Sequence, residues 1–177
     1  MKDINEEEVF KLFGAKGTKE VLEFLDEHGK GQYIELGQFI SYNTLNLRLR
    51  GLLSFGLISH HFERKPRKKE WYQLTEKGKQ ALQHLRALAE IHKLIGAKGT
   101  KFVLEFLDEH GKGQVIEMLE FMNPGTLNFR LQDLLRFGLI NHCLERKPKK
   151  VEWYEITEKG KKALKDMRAL IELTAGG

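Results

Sequence analysis

The chain has 177 residues, 41% hydrophobic and 31% charged, with a formal net charge of +5, a sequence pI near 9.2 and a mean hydropathy of −0.45. That supports one ordinary domain or two small ones, and no apolar run approaches the roughly 18 residues that a membrane span needs. A single cysteine, Cys143, excludes an internal disulfide and fits a reducing cytoplasm, while the acidic opening MKDINEEEVF lacks the basic-then-apolar order of a secretory signal.

Segment 11–91, beginning KLFGAKGTKEVLEFLDEHGKGQ, aligns without a gap on 93–173, beginning KLIGAKGTKFVLEFLDEHGKGQ, and about two-thirds of the positions are identical. Solenoid repeats are far shorter, about 20–50 residues, so this period is that of a small domain. The expectation is two domains made by duplication, 1–87 and 88–177.

Within the first copy, TKEVLEFLDEHG places Val21, Leu22 and Leu25 on one helical stripe, with Thr18 expected as N-cap and Gly29 as the stop. GKGQ reads as a turn into an extended piece, Tyr33-Ile34-Glu35, followed by a short helix, LGQFI. A break follows at Ser41-Tyr42-Asn43, and the second copy has Asn123-Pro124-Gly125 there, the signature of a helix start. The next helix, TLNLRLRGLLSFG, buries Leu45, Leu49, Leu52 and Leu53 and stops at Gly56. LISHHFER and EWYQLT read as two strands joined by the cationic turn KPRKK. The closing segment, TEKGKQALQHLRALAEIHKLIG, continues into the second copy with no proline or glycine between Gly78 and Gly96, which predicts one long, rigid connecting helix. The fold class expected is mainly α with small β-hairpins.

Helix, small strand, short helix, turn, second helix, basic hairpin and closing helix is the order of a winged helix-turn-helix. The stretches TLNLRLRGLLSFGLI and TLNFRLQDLLRFGLI resemble the "tL-x-x-R-L-x-x-L-x-x-x-G-L-I" segment of HxlR-, PadR- and MarR-type transcriptional regulators. KKVEWYEITEKGKKAL is similar to their wing strand running into "Y-x-L-T-x-x-G" and the last helix. The resemblance covers nearly all of each copy. It implies two tandem winged helix-turn-helix domains, transcriptional regulation through double-stranded DNA, and a reading role for the second helix of the helix-turn-helix.

At 100° per residue, burial of Leu45, Leu49, Leu52 and Leu53 turns Leu47, Arg50, Gly51 and Ser54 outward, with Asn46 and Arg48 flanking and Thr44 in the first turn. The second copy presents Phe129, Gln132, Asp133 and Arg136, with Asn128 and Arg130 flanking and Thr126 in the first turn. Arg and Gln can read purine edges in the major groove, while Arg, Thr and Asn can hold phosphates. Leu47 and Phe129 fit either thymine methyls or a protein partner. Asp133, where the first copy has Gly51, suggests unequal binding by the two copies.

Arg64, Lys65, Arg67, Lys68 and Lys69 surround Pro66, and Arg146, Lys147, Lys149 and Lys150 surround Pro148. Proline belongs at a hairpin tip or edge, so these cations are expected on a projecting loop suited to phosphates or a narrow minor groove. The plainer alternative is an edge guarded by lysines. On the return strand, Tyr72 is expected to point inward and Trp71 to cover the hairpin base.

GAKGTK does not satisfy GxxxxGK[ST]. His60-His61 and His142-Cys143 are strand neighbours pointing to opposite faces, so no metal or other cofactor is expected, and no catalytic constellation marks an enzyme. The expected partner is double-stranded DNA, bound by the two copies as a pseudo-dimer within one chain. A homodimer of the fused chain stays open, as does a tandem winged-helix scaffold that binds proteins.

Overall fold

The computed structural model describes residues 6–64, 68–146 and 150–175. Six wing positions fall outside it: Lys65, Pro66 and Arg67 in the first copy and Lys147, Pro148 and Lys149 in the second. The first unit contains α1 (Glu6–Phe13), α2 (Thr18–His28), α3 (Tyr33–Leu36), α4 (Tyr42–Ser54), β1 (Ile58–Glu63), β2 (Lys69–Leu74) and α5 (Glu76–Ala87). After a 3-10 turn (Ala89–Ile91) come α6 (His92–Ile95), α7 (Thr100–His110), α8 (Val115–Met118), α9 (Pro124–Arg136), β3 (Ile140–Glu145), β4 (Val151–Ile156) and α10 (Glu158–Ala175). The chain is mainly helical with two small antiparallel hairpins. No described helix is long and apolar enough to cross a membrane.

Local chemistry sets most boundaries, with several departures from expectation. The N-cap of α2 is Gly17, in a left-handed conformation, because the Thr18 hydroxyl instead donates to Leu12 O at 2.6 Å from a fully buried position. Tyr33-Ile34-Glu35 is helical, not extended: the Glu35 carboxylate accepts from the Gln32 N–H at 2.6 Å and starts α3 there. Of LGQFI, Leu36 closes α3 and the other four residues form the turn after it. Ser41 and Asn123 cap α4 and α9, with the Asn123 Oδ1 accepting from the Thr126 N–H at 2.9 Å. At the far end of α4, the Leu57 N–H donates to Leu52 O at 2.9 Å and the Gly56 N–H to Leu53 O at 3.0 Å, the Schellman closure that a left-handed Gly56 permits.

Each hairpin has a five-residue connection, with register running from Ile58↔Leu74 to Glu63↔Lys69 and from Ile140↔Ile156 to Glu145↔Val151. A third strand is reduced to one residue. Gly31 and Tyr72 exchange two backbone hydrogen bonds at 2.8 and 3.0 Å, and Gly113 and Tyr154 repeat the pair. This bridge ties the α2–α3 turn of each unit to its hairpin.

The continuous connecting helix is overturned. α5 ends at Ala87, and the chain bends through Leu88–Ile91 before α6. No proline or glycine lies in the bend. Leu88, Ile91, Leu94 and Ile95 are all buried around it. The bent segment, 88–95, stands where α1 stands in the first unit.

The buried side chains of both units form one cluster, and the units meet through equivalent elements. α5 packs on α10, and α1 on α6. Gly14 lies against its counterpart Gly96: a Cβ on Gly14 would come within 2.5 Å of the Gly96 nitrogen. His84 Nδ1 sits 2.9 Å from Oδ1 of Asp166, 82 positions away. Contacts between a residue and its own equivalent are the pattern that a two-fold axis generates.

Candidate nucleic-acid interface

α4 is held by its apolar stripe, with Leu45, Leu49 and Leu52 buried and Leu53 partly exposed at 37%. The expectation that Leu53 belongs to the buried face is therefore corrected. It falls about 100° past Leu52, at the rim of the stripe. The opposite face presents Leu47, 60% exposed, together with the exposed Asn46, Arg50 and Ser54. Gly51 does not share that face, since a Cβ there would meet the Leu12 side chain of α1 at 2.8 Å.

Intramolecular partners claim several candidate side chains. Thr44 is half-buried, and its hydroxyl accepts from the Ser41 hydroxyl at 2.9 Å. Asn46 Oδ1 accepts from the Tyr33 hydroxyl at 3.0 Å. Arg48 is half-buried and donates from Nε to Lys16 O at 3.0 Å, which positions the α2 entry turn more directly than it could a ligand. Arg50 extends from the helix into solvent.

α9 repeats the scaffold with different chemistry. Phe129 is 66% exposed, and Asn128, Gln132 and Arg136 are exposed, whereas Thr126 is half-buried. Val115 replaces Tyr33, so Asn128 has no equivalent tyrosine hydroxyl beside it. Arg130 pairs with Asp133 at 2.9 Å, the arginine side chain largely withdrawn from solvent and the aspartate partly exposed. Arg136 leans over the Phe137 ring, 5.8 Å from its centroid.

On the first hairpin, Arg64 and Lys68 sit 5.6 and 5.4 Å from the centroid of the exposed Phe62 ring. Lys68 also pairs with Glu70 at 3.1 Å, and exposed Lys69 faces Glu63 in register. On the second, Lys150 pairs with Glu152 at 2.6 Å, and Arg146 is exposed. The hydrogen bond from Lys150, reinforced by its charge, holds the Glu152 carboxyl below its ordinary value. The stretch 63–70 thus carries five cations and two carboxylates, and 145–152 four and two. Both hairpins remain net positive by less than their basic residues alone suggest. Lys65, Arg67, Lys147 and Lys149 lie outside the described residues.

At the hairpin base the face assignments follow the pleat. Tyr72 stacks on His60 at 4.9 Å and packs against the core, where burial, then Glu70, raises its phenol above the ordinary value. Trp71 stacks on His61 at 5.5 Å on the other face. Among the described residues no three His, Cys, Asp or Glu side chains converge.

Sequence reasoning missed Lys30 and Lys112, whose ammonium groups lie 5.6 and 5.8 Å from the centroids of the Trp71 and Trp153 rings. Their signal was the unchanged spacing of GKG and Trp in both copies. Tyr33 and the Lys16 carbonyl were also missed as partners of Asn46 and Arg48, and no local pattern announces them. No protein-family model, curated protein or solved structure matches this chain.

Proposed function

We propose that each unit is a winged helix-turn-helix and that the chain is a non-enzymatic, double-stranded-DNA-binding regulator whose two units act as a pseudo-dimer. α3 and α4 (α8 and α9) form the helix-turn-helix, the hairpin is the wing, and the Gly31 and Gly113 bridges stand for the small strand of that fold. The observation that carries the reading is the meeting of equivalents, His84 with Asp166 and Gly14 with Gly96. A two-fold relation presents two reading helices and two cationic hairpins as a pair, which is how symmetric dimers address paired half-sites. Arg50 and Gln132 are the base-reading candidates; Arg64, Lys68, Lys69, Arg146 and Lys150 are phosphate candidates.

The test is the salt dependence of binding to duplex DNA. If about 6–8 cations meet phosphates, log K against log salt slopes at about −5 to −7; a nearly flat dependence rejects the reading.

A second reading, a scaffold that binds proteins through the same helices, is favoured by one repeated feature. Ile34 and Ile116 are 68% and 69% exposed, and Leu47 and Phe129 are exposed as well. A protein that co-purifies with the chain and is lost on Leu47→Asp with Phe129→Asp, without salt-sensitive DNA retention, would establish it.

A further inference from the structure

The two units began as copies, so a place where one has departed in a single chemical direction marks a specialised surface. Such a place lies between α7 and the turn after α8, a groove of about 500 Å³. Its floor is aromatic: Phe102 lies 5.3 Å from Phe121 and 6.1 Å from Phe106, centroid to centroid. Its walls carry Glu109, Glu117 and Glu120. Phe121 is 65% exposed, although an aromatic ring facing water is unfavourable unless something covers it.

Comparison with the first unit isolates what is new. Phe106, Glu109, Glu117 and Phe121 have counterparts in Phe24, Glu27, Glu35 and Phe39. Phe102 replaces Glu20, whose carboxylate accepts from the Gly17 N–H at 3.0 Å and caps α2. The second unit has given up that capping bond for a half-buried aromatic that packs against the core and lines the groove. Glu120 replaces the neutral Gln38. One exchange adds apolar surface and the other adds negative charge, within the same groove. Glu105 is already paired, with Lys101 at 2.8 Å and Arg168 at 3.3 Å, and Glu117 is engaged with the Gln114 N–H at 2.6 Å. Among the described residues, Glu109 and Glu120 have no cationic partner.

We infer that this groove docks a short cationic peptide segment of a partner protein, with an aromatic or large aliphatic anchor on the Phe102–Phe106–Phe121 floor and Lys or Arg side chains against Glu109 and Glu120. The complementarity is double: exposed phenyl faces attract both apolar groups and cations, and the unpaired carboxylates select against acidic competitors. None of the eight groove residues, Glu105 and His110 included, belongs to the proposed DNA surface, so the two readings stand or fall separately.

The test uses the full chain. A random peptide library displayed on phage is selected against it, and the leading sequence is synthesised, labelled and titrated by fluorescence anisotropy. The expected consensus has at least two Lys or Arg beside an aromatic residue or Leu. Binding falls at least about tenfold in Phe102→Glu, which installs the first unit's capping residue, and in the double variant Glu109→Lys with Glu120→Lys. Both variants keep a cooperative melting transition and still bind duplex DNA. Absence of enrichment, enrichment of neutral or acidic sequences, or equal binding by both variants overturns the inference. So does light scattering that finds wild type self-associated and the charge-reversed variant monomeric, since a second copy would then occupy the groove.

Discussion

His84 donates from Nδ1 to the Asp166 carboxylate at 2.9 Å, and the two residues hold the same position in the two halves of the duplication. One ancestral position has become two different residues that bond each other across the unit interface. The change from a like pair to a complementary pair is available only to a fused chain, because an identical dimer places the same side chain on both sides of its axis.

The pair can be isolated by a double-mutant cycle on His84→Ala and Asp166→Ala, read by urea unfolding. With both side chains mostly withdrawn from solvent, the expected coupling is about 0.5–1.5 kcal/mol. Additive effects would mean that the two do not interact.

Gly14→Ala should destabilise the chain by about 1–3 kcal/mol, because the added methyl meets Gly96 backbone and not a movable side chain. Gly125→Ala is the control. Its Cβ has only Asn123 Oδ1 nearby, at 3.6 Å, and alanine in the first turn of α9 should be neutral or stabilise by up to about 1 kcal/mol. Equal urea midpoints for the two variants would refute the close approach of α1 and α6.

Asp133→Gly places the first unit's residue in α9 and releases Arg130 from its 2.9 Å ion pair. If α9 meets DNA, affinity should rise at low salt and the log–log salt slope should steepen by about 1. Arg50→Ala should instead relax sequence preference, costing about 1–3 kcal/mol on the preferred site. An unchanged slope in the first variant would remove α9 from the interface.

Cys143 offers a pH readout. Burial beside Trp153, and secondarily the Glu155 carboxylate, hold its thiol above the ordinary value. A raised pKa leaves less thiolate at a given pH, and the thiolate is the nucleophile. Alkylation by iodoacetamide at pH 8 should therefore be slower than for glutathione, and should approach its plateau only at higher pH. Glu155→Gln should accelerate it. A rate at pH 8 matching the free thiol would contradict this environment.

What the sequence determined by itself is local or repeated. The 82-residue period, the helix stops at Gly29 and Gly56, the Asn123–Pro124 helix start and the pleat that separates Tyr72 from Trp71 each depend on neighbours along the chain, so composition and spacing suffice to read them. The tertiary structure decided the rest. The bend at Leu88–Ile91 carries no proline or glycine to announce it, and helical periodicity holds no record of the distant elements against which Leu88, Ile91, Leu94 and Ile95 are buried. Thr18 lost its expected capping role to the Leu12 carbonyl, and Arg48 was drawn to the Lys16 carbonyl. The same logic applies to the exposed candidates: Arg50 and Leu47 were legible from helix phase, whereas the pairing of Arg130 with Asp133 was not. The direction a side chain faces follows from 100° per residue; what it meets there follows from the packing of the whole chain.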